Sequence, residues 1–129
     1  MRTARTFVWH AGDRAVVAFF SLAAHLVVRE GLPRSVARGA PAAIPAIVLA
    51  RLALKRTLHG GSLGAELLWD ALSRTVAASE IAAARLVVVD AIDDAAGAFY
   101  VHHGFVRVPG DAHRLVQKVS DIVAALGDK

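Results

Sequence analysis

The sequence predicts a mixed α/β protein, a central mixed sheet flanked by helices. Three observations carry this. Two nearly continuous apolar runs, Ala46–Leu54 and Arg85–Ala91, read as central strands covered on both faces. Between them, Leu68, Leu72 and Val76 recur at four-residue spacing, with Leu67 and Ala71 alongside, which marks Ala65–Ala78 as an amphipathic helix. No repeat or linker divides the 129 residues, so a single domain, 1–129, is expected.

Thr6–His10 and Ala15–Val28 read as strands joined through the turn residues Gly12 and Asp13. Gly31–Pro45 holds three prolines and two glycines and reads as a loop, or a short helix flanked by loops. Lys55–Gly64 is the main break in the chain. Asp93–His103 reads as a helix opened by acids that suit a helix N-terminus, with Gly104 as its stop. Phe105–Val108 and Arg114–Val119 are short strand candidates, and Ser120 is a candidate N-cap for a helix to Leu126.

Composition narrows the function. The hydrophobic share, 56%, excludes a disordered chain. The absence of cysteine removes disulfides, thiolate metal sites and cysteine nucleophiles. The opening MRTARTFVWH has no signal-peptide pattern, and the longest uncharged stretch, Ala15–Val28, is too short to span a bilayer, so a cytoplasmic protein without membrane contact is expected. Charge is uneven: residues 1–60 carry nine Lys/Arg against two acids, whereas 61–129 carry six against nine. A basic half suits a polyanionic partner, or it is a solvated arginine surface. No metal is expected, because the adjacent His102 and His103 point about 100° apart on a helix.

The sharpest local signal is strand, glycine loop, helix over Ala46–Ala78. A helix N-terminus presents unpaired N–H groups that bind phosphate, and glycine lets backbone approach an anion. Gly60, Gly61 and Gly64 provide the glycines, with Lys55 and Arg56 upstream. Neither a Walker A loop nor G-x-G-x-x-G fits HGGSLG. Taken alone, the loop is either an anion cradle or a tightly packed turn.

The runs IPAIVLARLAL, HGGSLGAELLWDALSR and ARLVVVDAIDDAAGAFYVHHGF resemble the GNAT N-acetyltransferases, and among them the GNAT toxins of bacterial toxin–antitoxin pairs, over about residues 5–118. The AFY…GF pattern is met by Ala98, Phe99, Tyr100, Gly104 and Phe105. The resemblance implies the acyl-CoA N-acyltransferase fold and acetyl transfer from acetyl-CoA to an amine. It implies that Leu52, Ala53 and Leu54 pair with the pantetheine arm through their backbone. The loop His59, Gly60, Gly61, Ser62, Leu63 and Gly64 would cradle the pyrophosphate, and Tyr100 would protonate the departing thiolate. The toxin members acetylate aminoacyl-tRNA and so block translation. Arg29, Arg34, Arg38 and Arg51 are the candidate tRNA contacts. A small amine or protein lysine as acceptor, and a degenerate partner-binding domain, are the alternatives. A ribbon-helix-helix antitoxin is the implied partner.

The chain departs from the family pattern at three points. His59 stands for Gln or Arg, and Ser62 for Gly. A left-handed backbone at Ser62 would cost about 1–2 kcal/mol. Family toxins carry about forty more residues before the segment matching Arg5, so the usual first strand and helices are expected to be missing and the exposed edge to favour a homodimer.

Overall fold

The computed structural model describes residues 5–10, 16–54 and 63–127. The strands are β1 (Arg5–His10), β2 (Val16–Val28), β3 (Ala43–Leu54), β4 (Leu86–Asp90), β5 (Val106–Val108) and β6 (Asp111–Lys118). The helices are α1 (Arg34–Ala37), α2 (Leu63–Ala82), α3 (Asp94–His102) and α4 (Val119–Gly127). The mixed α/β expectation is met by one six-stranded sheet in the order β1-β2-β3-β4-β6-β5. Every neighbouring pair is antiparallel except β3 and β4, which run parallel through the crossover helix α2.

Alternation along the strands splits the core into two layers. Ile47 and Leu49 of β3 and Val87 and Val89 of β4 face a cluster that takes Leu67, Leu68, Ala71 and Leu72 from α2, Tyr100 from α3 and Ile122 from α4. Ile44, Ala46, Leu86 and Val88 point the other way, where Val36 of α1 joins them. Covered on both faces, β3 and β4 need apolar residues at successive positions, which is why their sequences read as unbroken runs.

Several boundaries differ from those expected, each for a physical reason. β3 begins at Ala43, three residues early, with Pro45 inside the strand. The Pro45 carbonyl accepts from the Arg85 N–H at 2.8 Å. Its missing N–H therefore faces the β4 side, where the ladder starts only at Ala46 and Leu86. α2 runs from Leu63 to Ala82, longer at both ends than Ala65–Ala78. It stops at Ala83, a left-handed residue at φ 57° that holds the place glycine usually takes. α4 starts at Val119, so Ser120 lies inside its first turn and is not its cap. Gly104 ends α3 at φ 99°, as expected.

β1 is fastened to α2 by polar contacts. Trp9 Nε1 donates to Asp70 Oδ2 at 2.9 Å, and Arg74 Nε donates to Asp70 Oδ1 at 3.1 Å. The Arg74 guanidinium lies 4.6 Å from the Phe7 ring centroid. Asp70 and Arg74 thus hold the sheet edge to the helix.

Candidate functional site

The site begins where β3 leaves its parallel neighbour. The β3–β4 ladder runs from Ala46–Leu86 to Leu49–Val89 and ends there, although β3 continues to Leu54. On its other side β3 stays paired with β2, but not evenly. Ser21 pairs with Ala50 and Phe19 with Ala53, so β3 advances three residues while β2 advances two. That is a β-bulge, which bends a strand and shifts its alternation. The shift shows in the packing: Ile47 and Leu49 face the α2 layer, and after the bulge Leu52 packs on that same layer. Leu52, Ala53 and Leu54 therefore leave one backbone edge outside the described ladders. Unpaired strand N–H and C=O groups are a template for an extended amide-bearing chain.

The second component is the start of α2. Leu63 and Gly64, expected in the glycine loop, form the helix's first turn. Their N–H groups are among those an α-helix cannot satisfy internally. His59, Gly60, Gly61 and Ser62 lie outside the described residues.

The third is α3. Asp93 caps it, its carboxylate accepting from the Ala96 N–H at 2.8 Å. Tyr100 sits two turns in, 7% exposed, in the same cluster as Leu49 and Val89, the last pair of the ladder. Phe99 and Phe105 meet its ring edge-on, both at 5.5 Å between centroids. A Cβ built on Gly64 would lie 3.8 Å from the Phe99 ring, so the α2 start and this part of α3 are in contact. Burial pushes the Tyr100 phenol up to about 12. It keeps its proton throughout the neutral range, where it can donate a hydrogen bond but is no base.

Among the arginines, the structure separates what the sequence grouped. Arg29, Arg34 and Arg38 line one hollow with Leu32, Ala37 and Gly39. Arg29 Nη1 donates to the Ala40 carbonyl at 2.9 Å. This hollow lies between the end of β2 and the start of β3, at the far end of the sheet from the bulge. From Ala43 to Ala50 the strand spans roughly 20 Å at about 3.3 Å per residue. Arg51 belongs to β3 at the bulge, next to the gap.

One pair went unnoticed in the sequence. Asp90, the last residue of β4, stands directly across from Arg114 of β6. Arg114 Nε donates to Oδ1 at 2.8 Å and Nη2 to Oδ2 at 2.9 Å. The hydrogen bond from Arg114, then its charge and that of His25, hold the Asp90 carboxyl below its ordinary value despite partial burial. An acid closing the apolar run LVVVD was the available signal.

No protein-family model matches the sequence. The chain is 40% identical over 116 residues to a tRNA-acetylating toxin of Mycobacterium tuberculosis (strain ATCC 25618 / H37Rv), covering 90% of this chain and 70% of that protein. It superposes on AtaT complexed with acetyl-methionyl-tRNAfMet with a TM-score of 0.84 and 26% identity, covering 95% of this chain and 75% of AtaT. It also matches a mutant AtaT bound to the C-terminus of the antitoxin AtaR and acetyl-CoA, with a TM-score of 0.78 and 24% identity over 96% of this chain and 72% of that one. With the parallel β3–β4 pair opening beside a helix start and a buried tyrosine, these likenesses place the chain in the family of the tRNA-acetylating toxins, acetyltransferases of the GNAT fold.

Proposed function

We propose that this chain transfers the acetyl group of acetyl-CoA to the α-amine of an aminoacyl-tRNA and thereby blocks translation. The observation that carries this reading is the gap itself. β3 runs on past Leu49 without β4, bulged, with one backbone edge in no ladder among the described residues, beside the start of α2.

Leu52, Ala53 and Leu54 offer that edge to the pantetheine amides. The first turn of α2, Leu63 and Gly64 included, turns its N–H groups and partial positive charge toward the pyrophosphate. His59, Gly60, Gly61 and Ser62 complete the cradle. The thioester then lies beside Tyr100. The amine attacks the carbonyl, the C–N bond forms, and the C–S bond breaks. Tyr100 donates to the sulfur as charge collects there. A thiol ordinarily ionises near 8.5, so a phenol raised to about 12 supports the leaving thiolate mainly as a hydrogen-bond donor. The net exchange balances: the amine gives up one proton and the thiol gains one.

Arg29, Arg34 and Arg38, remote from the gap, take phosphates of the tRNA body, and Arg51 takes those nearest the aminoacyl end. Holding a polyanion at two separated points fixes its terminus at the reacting centre. The reading extends to one domain over 1–129, acting in the cytoplasm, paired with a second copy along the exposed sheet edge and neutralised by a ribbon-helix-helix antitoxin.

The test is acetylation of charged tRNA by the purified protein with labelled acetyl-CoA, read by mass spectrometry of the released aminoacyl group. N-acetyl aminoacyl-tRNA is the expected product. Label appearing only on proteins or small amines would contradict the reading.

A further inference from the structure

Tyr100 serves one side of the gap; the other side holds the Asp90–Arg114 pair. Val89 is the last residue of β4 in register with β3, so Asp90 stands at the mouth of the gap, where the strands part. By alternation its side chain shares the face of Leu86 and Val88, opposite the face of Val89 and the Tyr100 cluster. The Asp90 side chain is 52% exposed and that of Arg114 33%. Arg114 takes one lone pair of each carboxylate oxygen. A carboxylate has about four such acceptor positions, so room remains for an incoming donor.

We infer that Asp90, fixed by Arg114, receives the acceptor amine at the gap on the face opposite Tyr100. This rests on the acetyl-transfer reading above and assigns its acceptor side. The neutral amine donates an N–H to Asp90, which turns its lone pair toward the thioester carbonyl. As the C–N bond forms, the nitrogen becomes positive and the carboxylate stabilises that charge. The surplus proton leaves to water. On the opposite face the C–S bond breaks and Tyr100 hydrogen-bonds the departing thiolate, which takes up its proton from water. A carboxylate held ionised by Arg114, with His25 contributing and Asp111 acting on Arg114, is a weak base, so it orients and stabilises without taking the proton.

The charge also selects. An esterified amino acid presents an amine with no carboxylate beside it, whereas a free amino acid brings an anion up to Asp90. The site therefore prefers aminoacyl esters over free amino acids.

The experiment compares the full-length parent, Asp90→Asn and Asp90→Glu, measuring acetylation rates against charged-tRNA concentration, acetyl-CoA affinity by calorimetry, and Tm. For D90N, kcat is expected to fall about 10²-fold, the scale of losing one transition-state contact, with KM and acetyl-CoA affinity within about twofold and Tm little changed. D90E, which keeps the charge, is expected to recover part of the rate. D90N as active as the parent overturns the inference. So does a rate loss matched by lost acetyl-CoA affinity and lower Tm, or equal residual rates in D90N and D90E. A parent that forms no acetylated aminoacyl-tRNA overturns the functional reading, and the inference with it.

Discussion

The two ends of β3 share a strand but not a design. At Ala43 the strand is clamped: β2 pairs on one side, Pro45 and Ala46 engage the start of β4 on the other, and α1 with Ala40 and Val36 closes the face. Its charged groups, Arg29, Arg34 and Arg38, stand on the surrounding loop and helix. At Leu54 the strand has lost β4 and gained a bulge. Among the described residues this end has a buried phenol on one face and an Arg-bound carboxylate on the other. In the proposed function, chemistry and affinity come from different ends of one strand. A backbone edge flanked by fixed polar groups suits bond-making, while a cluster of surface cations suits holding a large anion.

Breaking the gap end has the largest expected effect. Tyr100→Phe keeps the ring and its packing and removes the donor. Acetylation of charged tRNA is expected to fall by about 10²–10⁴, while calorimetric acetyl-CoA affinity stays within about twofold. Equal activity of the variant would remove Tyr100 from the mechanism.

The arginine end comes next. Replacing Arg29, Arg34 and Arg38 together by Ala is expected to raise KM for charged tRNA by about tenfold and to flatten its salt dependence. Acetyl-CoA affinity is expected to remain unchanged. A variant that matched the parent at every salt concentration would show that only the gap end meets tRNA.

α2 joins the two ends, starting at the gap and finishing at Ala83 near Pro45. Ala83→Gly relieves a left-handed alanine and is expected to stabilise the fold by about 0.5–1 kcal/mol in denaturant titration, with kcat unchanged. A changed kcat would mean that strain at the far end reaches the gap.

The smallest effect sharpens the comparison by its absence. With the phenol pushed to about 12, kcat is expected to rise as the α-amine deprotonates near pH 8 and then stay level to about pH 10. Stability behaves in the same sense. The fold favours the neutral phenol, so this contribution is complete below pH 10 and is lost as pH rises from about 10 toward about 12. Tyr100→Phe removes that component of the alkaline transition.

Much of this arrangement was legible in the sequence. Continuous apolar runs marked β3 and β4, four-residue spacing marked α2, and the acids before Ala95 marked the start of α3. What escaped depended on partners distant in the chain. The bulge arises because β3 must stay with β2 while departing from β4, and no local residue pattern encodes that choice. The Asp90–Arg114 pair spans 24 residues and exists only because β6 lies beside β4. The Asp70 contact is equally non-local: its donor, Trp9, lies 61 residues away. The distance between Arg51 and the set Arg29, Arg34 and Arg38 was hidden for a similar reason, since a twelve-residue strand sets its two ends far apart.

The most direct test is a crystal structure of the protein with coenzyme A. The account predicts the pantetheine amides hydrogen-bonded to the backbone of Leu52–Leu54 on the side that faces β4, with the sulfur within about 3–4 Å of the Tyr100 hydroxyl. Coenzyme A bound elsewhere, or a sulfur out of reach of that hydroxyl, would contradict it.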